Sequence, residues 1–553
     1  MEDTAQPINS WPLPAGQPGT TATVPAPAPR LSLTLAQKVL LPLGTLLFDG
    51  LFWLHPAGVN MLVYTLFVVG AQLYLLPRHA AVRRSGYFWL AVAGSLFSAG
   101  MVVLYGSGAA MLANMASVAL MLGYVNQSHL KLLLYAYLTA VGSAAQAGLL
   151  VLAGLRAPRN LGPGARRGWF YARLLLVPLG IAGAFHVLFA VANPVYAEFS
   201  GRALDQLGEW LSWLLPEVSL PHLFFLLLGF LLTAGGLVVV PVYMFADHES
   251  RFGEFVRRQR DRVASFGVRR PDFSLKRFRS LDLRKEFLAA TAVFGLVNLL
   301  LLVVNIIDIN WLWFGFVPAP DFDLAQFVHE GTYVLIFSIL LAMGIVLWFF
   351  RRNLNFYEPG LPWLRWGATV WVGQNAVLAA SVGLRNYYYI LHSGLAYKRV
   401  GVCFFLLLVF FGLATVLLKV WQRRSTYSLI RLNSLAVYAV VLLLAAGNWE
   451  IWIARYNLQP HFRRLDIGFL LSMPPRVLPT LLERRAVIDQ VPSLSSDNEY
   501  GTTVSISAAE AQRLLDATAR AYQERSAGYS AWQGWTYAGW LTKQELKRRT
   551  TTR

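Results

Sequence analysis

Ionisable and amide side chains recur at the ends of the apolar runs in the second half of the chain. Because such groups are costly inside a membrane, each is a functional candidate. The candidates for one polar pocket are Glu330, Arg385, Tyr389, Arg399, Asn448 and Glu450, with His329, Asp308 and Asn457 as secondary candidates. A partly desolvated Glu330 or Glu450 could act as a general base or proton carrier. Arg385 and Arg399 could clamp a phosphate or carboxylate headgroup.

A structural explanation fits the same residues. Glu330, Arg385, Glu450 and Arg455 fall at one predicted membrane depth, where they could form ion pairs between helices. Aromatic residues typical of a membrane interface surround them: Trp311, Trp313, Tyr387, Tyr388, Trp449 and Trp452. The pocket and the set of ion pairs therefore stay open as alternatives.

Motifs that would name a reaction are missing. The chain contains no P-loop, zincin, nucleophile-elbow, CxxC or EF-hand signature, and His329–Glu330 lacks a second histidine at the zincin spacing. Cys403 is the only cysteine, so neither an internal disulfide nor a thiolate metal site can form. We expect no cofactor and no metal, and a protein without enzymatic activity rather than an enzyme.

The amino-acid composition indicates whether the chain folds in water or in a membrane. Hydrophobic residues make up 56% of the 553 residues and charged residues only 14%, whereas soluble proteins carry about 25% charged residues. This excludes a soluble enzyme, a disordered chain and a coiled coil, and leaves a polytopic membrane protein. The net charge of +19 sits in blocks between apolar runs, which indicates membrane topology and anionic lipid rather than nucleic acid as a partner.

The apolar runs predict an all-α transmembrane bundle, because they are continuous and a β-barrel would alternate. Twelve candidate segments lie near 35–54, 58–76, 87–105, 109–125, 131–155, 174–196, 220–245, 287–306, 328–350, 365–384, 400–420 and 435–454. The 109–125 run is short and contains Asn114 and Ser117, so we expect it to be re-entrant or tilted. The prediction is eleven crossings, with twelve as the alternative.

Basic loops orient the bundle. Arginine and lysine concentrate in 77–86, 156–173, 247–286, 351–365 and 423–431, which we expect on the cytoplasmic side. The chain after residue 455 then lies outside. Three apolar runs join 77–86 to 156–173, so the side of the N-terminus depends on whether 109–125 crosses.

The chain divides into five predicted parts: a disordered Pro-rich tail (1–32), an N-terminal bundle (33–246), a basic cytoplasmic loop (247–286), a C-terminal bundle (287–454) and an extracytoplasmic helical cap (455–553). Within them, 197–218 has the pattern of an amphipathic interfacial helix. Ser507 and Glu510 form a capping box that predicts a helix near 508–525. Asp49 and His55 lie beside a predicted hairpin turn, where we expect a structural role.

Four stretches resemble a bacterial multi-pass membrane family catalogued as a domain of unknown function, number forty-one seventy-three and the related forty-one fifty-three. The resemblance covers about 285–485, and weakly the 45–76 hairpin. The matching positions are Leu296 to Ile306, Gly331, Tyr333, Ser381, Arg385, Tyr389, Gly394, Leu395, Arg399, Asn448 and Asn457. Ala396 stands where that family usually has threonine, and Glu330 where it has a basic residue. The resemblance implies a membrane fold and supplies no reaction.

Together these observations predict a multi-pass protein of a bacterial cytoplasmic membrane. The leading functional hypothesis is that it binds or moves an amphiphilic or anionic molecule at the outer leaflet. The alternatives are an integral-membrane transferase acting on a lipid-linked substrate, and a sensor or scaffold that recruits a partner through the basic loop. The sequence predicts no oligomeric state.

Overall fold

The computed structural model describes residues 33–154, 171, 178, 182–183, 185–186, 188–214, 219–257, 283–314, 324–351, 353–462, 464–497, 503–527 and 531–551. The predicted N-terminal tail lies outside these ranges. So do 155–170 and 258–282, which carry much of two of the predicted basic loops.

The described residues in the first half of the chain form eight helices. They are α1 (Leu35–Phe52), α2 (Val59–Leu75), α3 (Gly86–Tyr105), α4 (Gly108–Asn126), α5 (Leu133–Gly154), α6 (Pro194–Leu214), α7 (Leu220–Leu237) and the short α8 (Met244–Ser250), with a 3-10 turn at Ala81–Arg84. Helices α1 to α5 pack in chain order, and α7 packs against α1, α2 and α5. The predicted amphipathic segment 197–218 falls largely within α6.

Five long helices follow. They are α9 (Leu283–Asp308), extended by a π-helical turn at Ile309–Trp313, then α10 (Leu324–Phe349), α11 (Leu361–Ser393), α12 (Tyr397–Gln422) and α13 (Thr426–Ala446), with a 3-10 turn at Asn353–Phe356. Helix α11 packs against α9, α10 and α12 around a buried core that includes Phe294, Ile339 and Trp371. Helix α13 also contacts α3 and α4, where the Tyr438 hydroxyl donates to Ser117 Oγ at 2.8 Å. This last helix therefore joins the two predicted bundles.

Long apolar helices dominate the molecule. Within the described residues, six are long and apolar enough to cross a membrane: α1, α3, α4, α9 with its π-helical turn, α12 and α13. Three shorter apolar helices accompany them, at Val59–Leu75, Pro221–Leu237 and Leu335–Phe349. Helix α9 exposes a stripe of large apolar side chains at helical spacing: Leu296, Leu299, Leu300, Val303 and Ile307. Such a stripe suits contact with lipid and would be a liability in water. The total of eleven crossings stays a prediction.

Helix α4 covers the 109–125 run, for which the prediction is a re-entrant or tilted segment; the structure shows no re-entrant break, and a tilt stays a prediction. The helix runs unbroken from Gly108 to Asn126. Its polar groups are satisfied by neighbouring helices, because Asn114 Nδ2 donates to the Ser95 carbonyl at 2.9 Å and Ser117 accepts from Tyr438. A polar residue that finds a partner on the next helix does not need to interrupt a transmembrane segment.

The helices share two ends. At the first, here called the basic end, helix α8 and the segment after it contact the chain before α5 and before α13. The Lys131 amide donates to Glu249 at 2.9 Å, and Arg424 forms a β-bridge with Phe255. At the other, here called the distal end, Asp49 accepts from His222 at 2.9 Å.

Helix α5 starts at the basic end and runs antiparallel to α7, since Gly142 faces Val242 and Gly148 faces Leu231. The chain therefore leaves α5 at the distal end. Helices α3, α4 and α5 pack in chain order and so return the chain to the end opposite its entry. The predicted basic loop 156–173 lies almost wholly outside the described residues, so its side of the membrane stays a prediction.

The C-terminal region (449–551) is not purely helical, which corrects the predicted helical cap. Its helices are α14 (Trp449–Asn457), α15 (Ile467–Leu471), α16 (Leu478–Glu483), α17 (Arg485–Gln490), α18 (Ala508–Ala527) and α19 (Tyr537–Thr551), with a 3-10 turn at Pro475–Val477. Its strands β1 (Arg464–Asp466), β2 (Ser493–Asp497) and β3 (Thr503–Ile506) form one sheet, in which β1 runs parallel and β3 antiparallel to β2.

Strands this short and serine-rich carry almost no apolar alternation, so the sequence gives little signal for them. The helix predicted near 508–525 is confirmed as α18, and Ser507 Oγ accepts from the Glu510 amide at 3.2 Å.

The C-terminal region docks on the distal end of the first helices. The Val59 amide donates to the Trp535 carbonyl at 3.1 Å, and the Asn60 amide donates to the Gln533 carbonyl at 3.0 Å. Helix α19 also packs against α3. The turn between α1 and α2, predicted from the residues around His55, is thereby held by backbone hydrogen bonds to the end of the chain.

Candidate functional site

Most of the candidate residues lie near the distal ends of α9, α11, α12 and α14. Ser381, Arg385 and Tyr389 recur every four residues and so share one face of the 33-residue helix α11. Trp313, in the π-helical turn after α9, donates from its indole to Ser381 Oγ at 3.0 Å. The π-helical turn after α9 therefore packs against this face of α11.

Arg385 is held by a carboxylate. Its Nη2 donates to Asp308 Oδ1 at 2.7 Å, and the two side chains are 7% and 8% exposed. A buried guanidinium needs such a partner, because either charge alone would be costly at this depth. Asp308, a secondary candidate from the sequence, is thus the direct partner of Arg385.

Arg399 builds the turn between α11 and α12. Its guanidinium lies 3.9 Å from the centroid of the Tyr389 ring, and its Nη1 donates to the Ser393 carbonyl at 2.7 Å and to the Gly394 carbonyl. Asn457 closes the same turn, because its Nδ2 donates to the Leu395 carbonyl at 2.9 Å and its Oδ1 accepts from the Leu395 amide. Tyr389, Arg399 and Asn457 therefore form one connected group.

Replacing Gly394 by alanine tests this turn. Gly394 has a φ of +75°, and an added Cβ would lie 2.5 Å from Asn457 Oδ1. We expect Gly394→Ala to lower the free energy of unfolding by about 1–3 kcal/mol through strain and the displaced Asn457. Thermal melts in detergent would measure it, with Gly401→Ala, where an added Cβ meets open space, as the control. Equal stability of the two variants would contradict the assigned role.

Glu450 and Asn448 lie apart from the Arg385 pair. Glu450 Oε2 is 2.6 Å from Arg476 Nη2, with side chains 10% and 5% exposed. Arg476 also donates to the Tyr105 carbonyl at the end of α3. Asn448 Oδ1 is buried and has no hydrogen-bond partner within the described ranges. Arg455 is exposed, and no ion pair of its side chain is found among the described residues.

Glu330 and His329 are placed only as backbone. Both belong to α10, near its first turns. Their side chains lie outside the described part, so their membership of the predicted pocket stays a prediction. The remaining candidates divide into three groups: Arg385 with Asp308; Tyr389, Arg399 and Asn457; and Glu450 with Arg476.

A cavity of about 220 Å³ lies beside the second group. The α11–α12 turn forms one wall and the start of β1 forms the other. The charged side chains that line it are Arg399, Arg464 and Asp466. Asp466 already accepts from the Phe469 amide at 2.9 Å, and no ion pair of Arg464 is found among the described residues. The cavity wall thus carries two guanidinium groups and one carboxylate, and that carboxylate is already hydrogen-bonded. The excess of positive charge suits an anion.

Sequence reasoning missed Arg464 and Arg476, because both lie after the last apolar run, in the part expected to be a cap. Arg476 is the one charged residue in the apolar stretch LSMPPRVLP. A single charge among apolar residues could have indicated that Arg476 is buried with a partner. Within the described ranges, no group of three or more His, Cys, Asp or Glu side chains is arranged to hold a metal ion.

Comparison with known proteins identifies a family. A family model described as a domain of unknown function (DUF4153) matches residues 87–483. This is one of the two related types expected from the sequence, and the match begins well before residue 285. No curated protein and no solved structure matches the chain.

Proposed function

Since the chain belongs to the DUF4153 family, which names no activity, we propose from the geometry that it binds an anionic amphiphilic molecule at the distal end. The observation that carries this proposal is the 220 Å³ cavity with Arg399 and Arg464 in its walls. Its volume is below the roughly 300–1,000 Å³ of sites that enclose a whole small ligand. The cavity therefore suits an acidic headgroup.

The apolar part of such a ligand has a surface to lie on. Tyr387 and Leu391, one turn apart on α11, are 53% and 42% exposed just before the cavity. Tyr456 packs nearby, and burial, with a contribution from Tyr387, raises the pKa of its hydroxyl, which stays neutral at pH 7. An apolar surface next to cationic side chains matches a lipid whose headgroup occupies the cavity.

The charge distribution supports one orientation in the membrane. Exposed cations at the basic end include Arg78, Arg84, Lys131, Arg251 and Arg257. By the positive-inside rule we place this end in the cytoplasm of a bacterial cell. The distal end, the cavity and the C-terminal region then face the outer leaflet.

Binding is favoured over group transfer by the state of the carboxylates. Asp308 and Glu450 both lie against arginine side chains. A carboxylate held in this way is poorly placed to take a proton from a substrate. Of the two glutamates predicted as a general base, Glu450 is thus engaged by Arg476, which leaves Glu330 for the transferase alternative.

Native mass spectrometry of the detergent-purified chain tests the proposal. We expect a defined anionic lipid to co-purify, and Arg464→Gln to reduce its occupancy by about tenfold, because one charge-assisted contact is lost. Arg464 is exposed, so the variant should fold.

Arg513→Gln, on the exposed face of α18, removes the same charge away from the cavity and should keep the lipid. Equal occupancy in both variants, or no defined adduct in the unaltered protein, would refute a headgroup site.

A further inference from the structure

A second and larger cavity lies at the basic end. Its volume is about 490 Å³, within the range of sites that hold a whole small ligand. The segment after α8 and the start of α13 form its walls. The proposed lipid site uses none of these residues.

Three arginines line this cavity: Arg251, Arg257 and Arg351. Arg351 is oriented by its own helix end, because it donates to the Trp348 carbonyl at 3.2 Å and lies over the Trp348 ring. Arg251 and Arg257 are exposed and make no ion pair within the described part of the chain. No acidic side chain is among the lining residues.

Two acidic residues of the segments around the cavity, Glu249 and Glu254, already have partners. Glu249 Oε1 accepts from the amides of Lys131 and Leu132 and from the Tyr427 hydroxyl, at 2.9, 3.2 and 2.6 Å. Glu254 lies 3.0 Å from Arg431 Nη1 and 3.8 Å from Lys131 Nζ. Glu254 is thus paired with cations, whereas Glu249 is held by neutral donors. Neither carboxylate lines the cavity, so the described lining carries three arginines and no acidic side chain and favours an anion.

The shape of the cavity is fixed by backbone contacts. The Val256 amide donates to the Arg423 carbonyl and the Ser425 amide donates to the Glu254 carbonyl, both at 2.9 Å. Ser425 is also the N-cap of α13, so the 21-residue helix begins at the cavity wall and adds its positive dipole end. A preformed site of this kind loses little entropy on binding.

Aromatic rings complete the wall. Phe252 and Tyr427 are stacked, with ring centroids 5.9 Å apart and planes at 18°. Phe255 is 58% exposed at the same segment. Rings beside arginines can hold a flat or apolar group while the guanidinium groups bind phosphate.

We propose that this cavity binds a phosphate ester, through Arg251, Arg257 and Arg351. The ester could belong to a soluble nucleotide or to the headgroup of a membrane lipid, and the experiment separates these sources. Both offer phosphate oxygens to the arginines and an apolar part to Phe252 and Tyr427.

Isothermal titration of the full chain in detergent would use two probes, adenosine diphosphate and dihexanoyl phosphatidylglycerol. We expect at least one to bind, with an affinity that falls as salt is added. The double variant Arg251→Gln/Arg257→Gln should weaken that binding by about tenfold or more. Both side chains are exposed, so the melting temperature should not change.

The matched control is Arg78→Gln/Arg84→Gln, which removes two exposed charges from the same end outside the cavity. It should bind as the unaltered protein does. Binding of the nucleotide alone would identify a soluble ligand, and binding of the lipid alone a headgroup, and each supports the site. Binding of neither probe, or equal weakening in both double variants, would overturn it.

Discussion

Arg385→Leu is expected to lower the free energy of unfolding by about 3–5 kcal/mol, because it leaves the Asp308 carboxylate buried without its counter-charge. The two side chains are 7% and 8% exposed and 2.7 Å apart. Asp308 Oδ2 has no hydrogen-bond partner in the part of the chain that the structure describes. The remaining carboxylate would therefore have to take up a proton or open the end of α9. Thermal and denaturant melts in detergent would measure the loss.

The double variant Arg385→Leu/Asp308→Leu separates a structural pair from a ligand site. Removing both charges should restore most of the lost stability, because no isolated charge is left behind. Arg455→Leu, at an exposed position, should change stability by less than about 0.5 kcal/mol. A double variant as unstable as Arg385→Leu would show that Arg385 stabilises the fold through something other than Asp308.

Arg476→Ala is expected to release the C-terminal region from the helices. Arg476 lies 2.6 Å from Glu450, is 5% exposed, and donates to the carbonyl of Tyr105. One side chain thus connects α14, α3 and the 3-10 turn before α16. Its loss leaves a buried carboxylate and an unsatisfied carbonyl, which together cost about 3–5 kcal/mol.

Limited proteolysis would detect this release. We expect cleavage between residues 457 and 551 to become at least tenfold faster in Arg476→Ala, since local opening scales with the lost free energy. Glu450→Gln/Arg476→Gln, which keeps polar side chains without charges, should be intermediate. Arg513→Ala, on the exposed face of α18, is the control. Unchanged cleavage in Arg476→Ala would show that the backbone contacts at Val59 and Asn60 suffice to hold the region.

These ion pairs change the interpretation of the predicted pocket. Arg385, Arg399 and Glu450 were candidates for one site, but each meets a different partner: Asp308, the Ser393–Gly394 carbonyls, and Arg476. Arg385 and Glu450 thus form ion pairs, although with partners other than the predicted ones, and the predicted ligand pocket stays a prediction. Arg399, in contrast, lines a cavity.

The family motif has a structural explanation in part. Gly394 has a positive φ, Leu395 exchanges two hydrogen bonds with Asn457, and Arg399 binds the carbonyls before the turn. These residues therefore define how α11 reverses into α12. Sequence resemblance could indicate that they act together, but it could not indicate that the object they build is a turn beside a cavity.

Local properties of the chain were readable from the sequence alone. Apolar runs of about 20 residues determine membrane-type helices, because a chain in lipid must satisfy its own backbone hydrogen bonds. The capping residues Ser507 and Glu510 placed the start of α18 for a similar reason, since they act within one turn. The family was recognisable from short motifs.

Partner choice was decided by tertiary structure. Asp308 and Arg385 are 77 positions apart, and Tyr438 and Ser117 are 321 apart. A buried charge or hydroxyl requires a partner, but periodicity does not say which of many polar groups will reach it. The short strands of the C-terminal region were likewise decided by pairing, because three to five residues without apolar alternation form a sheet only when neighbouring strands supply the hydrogen bonds.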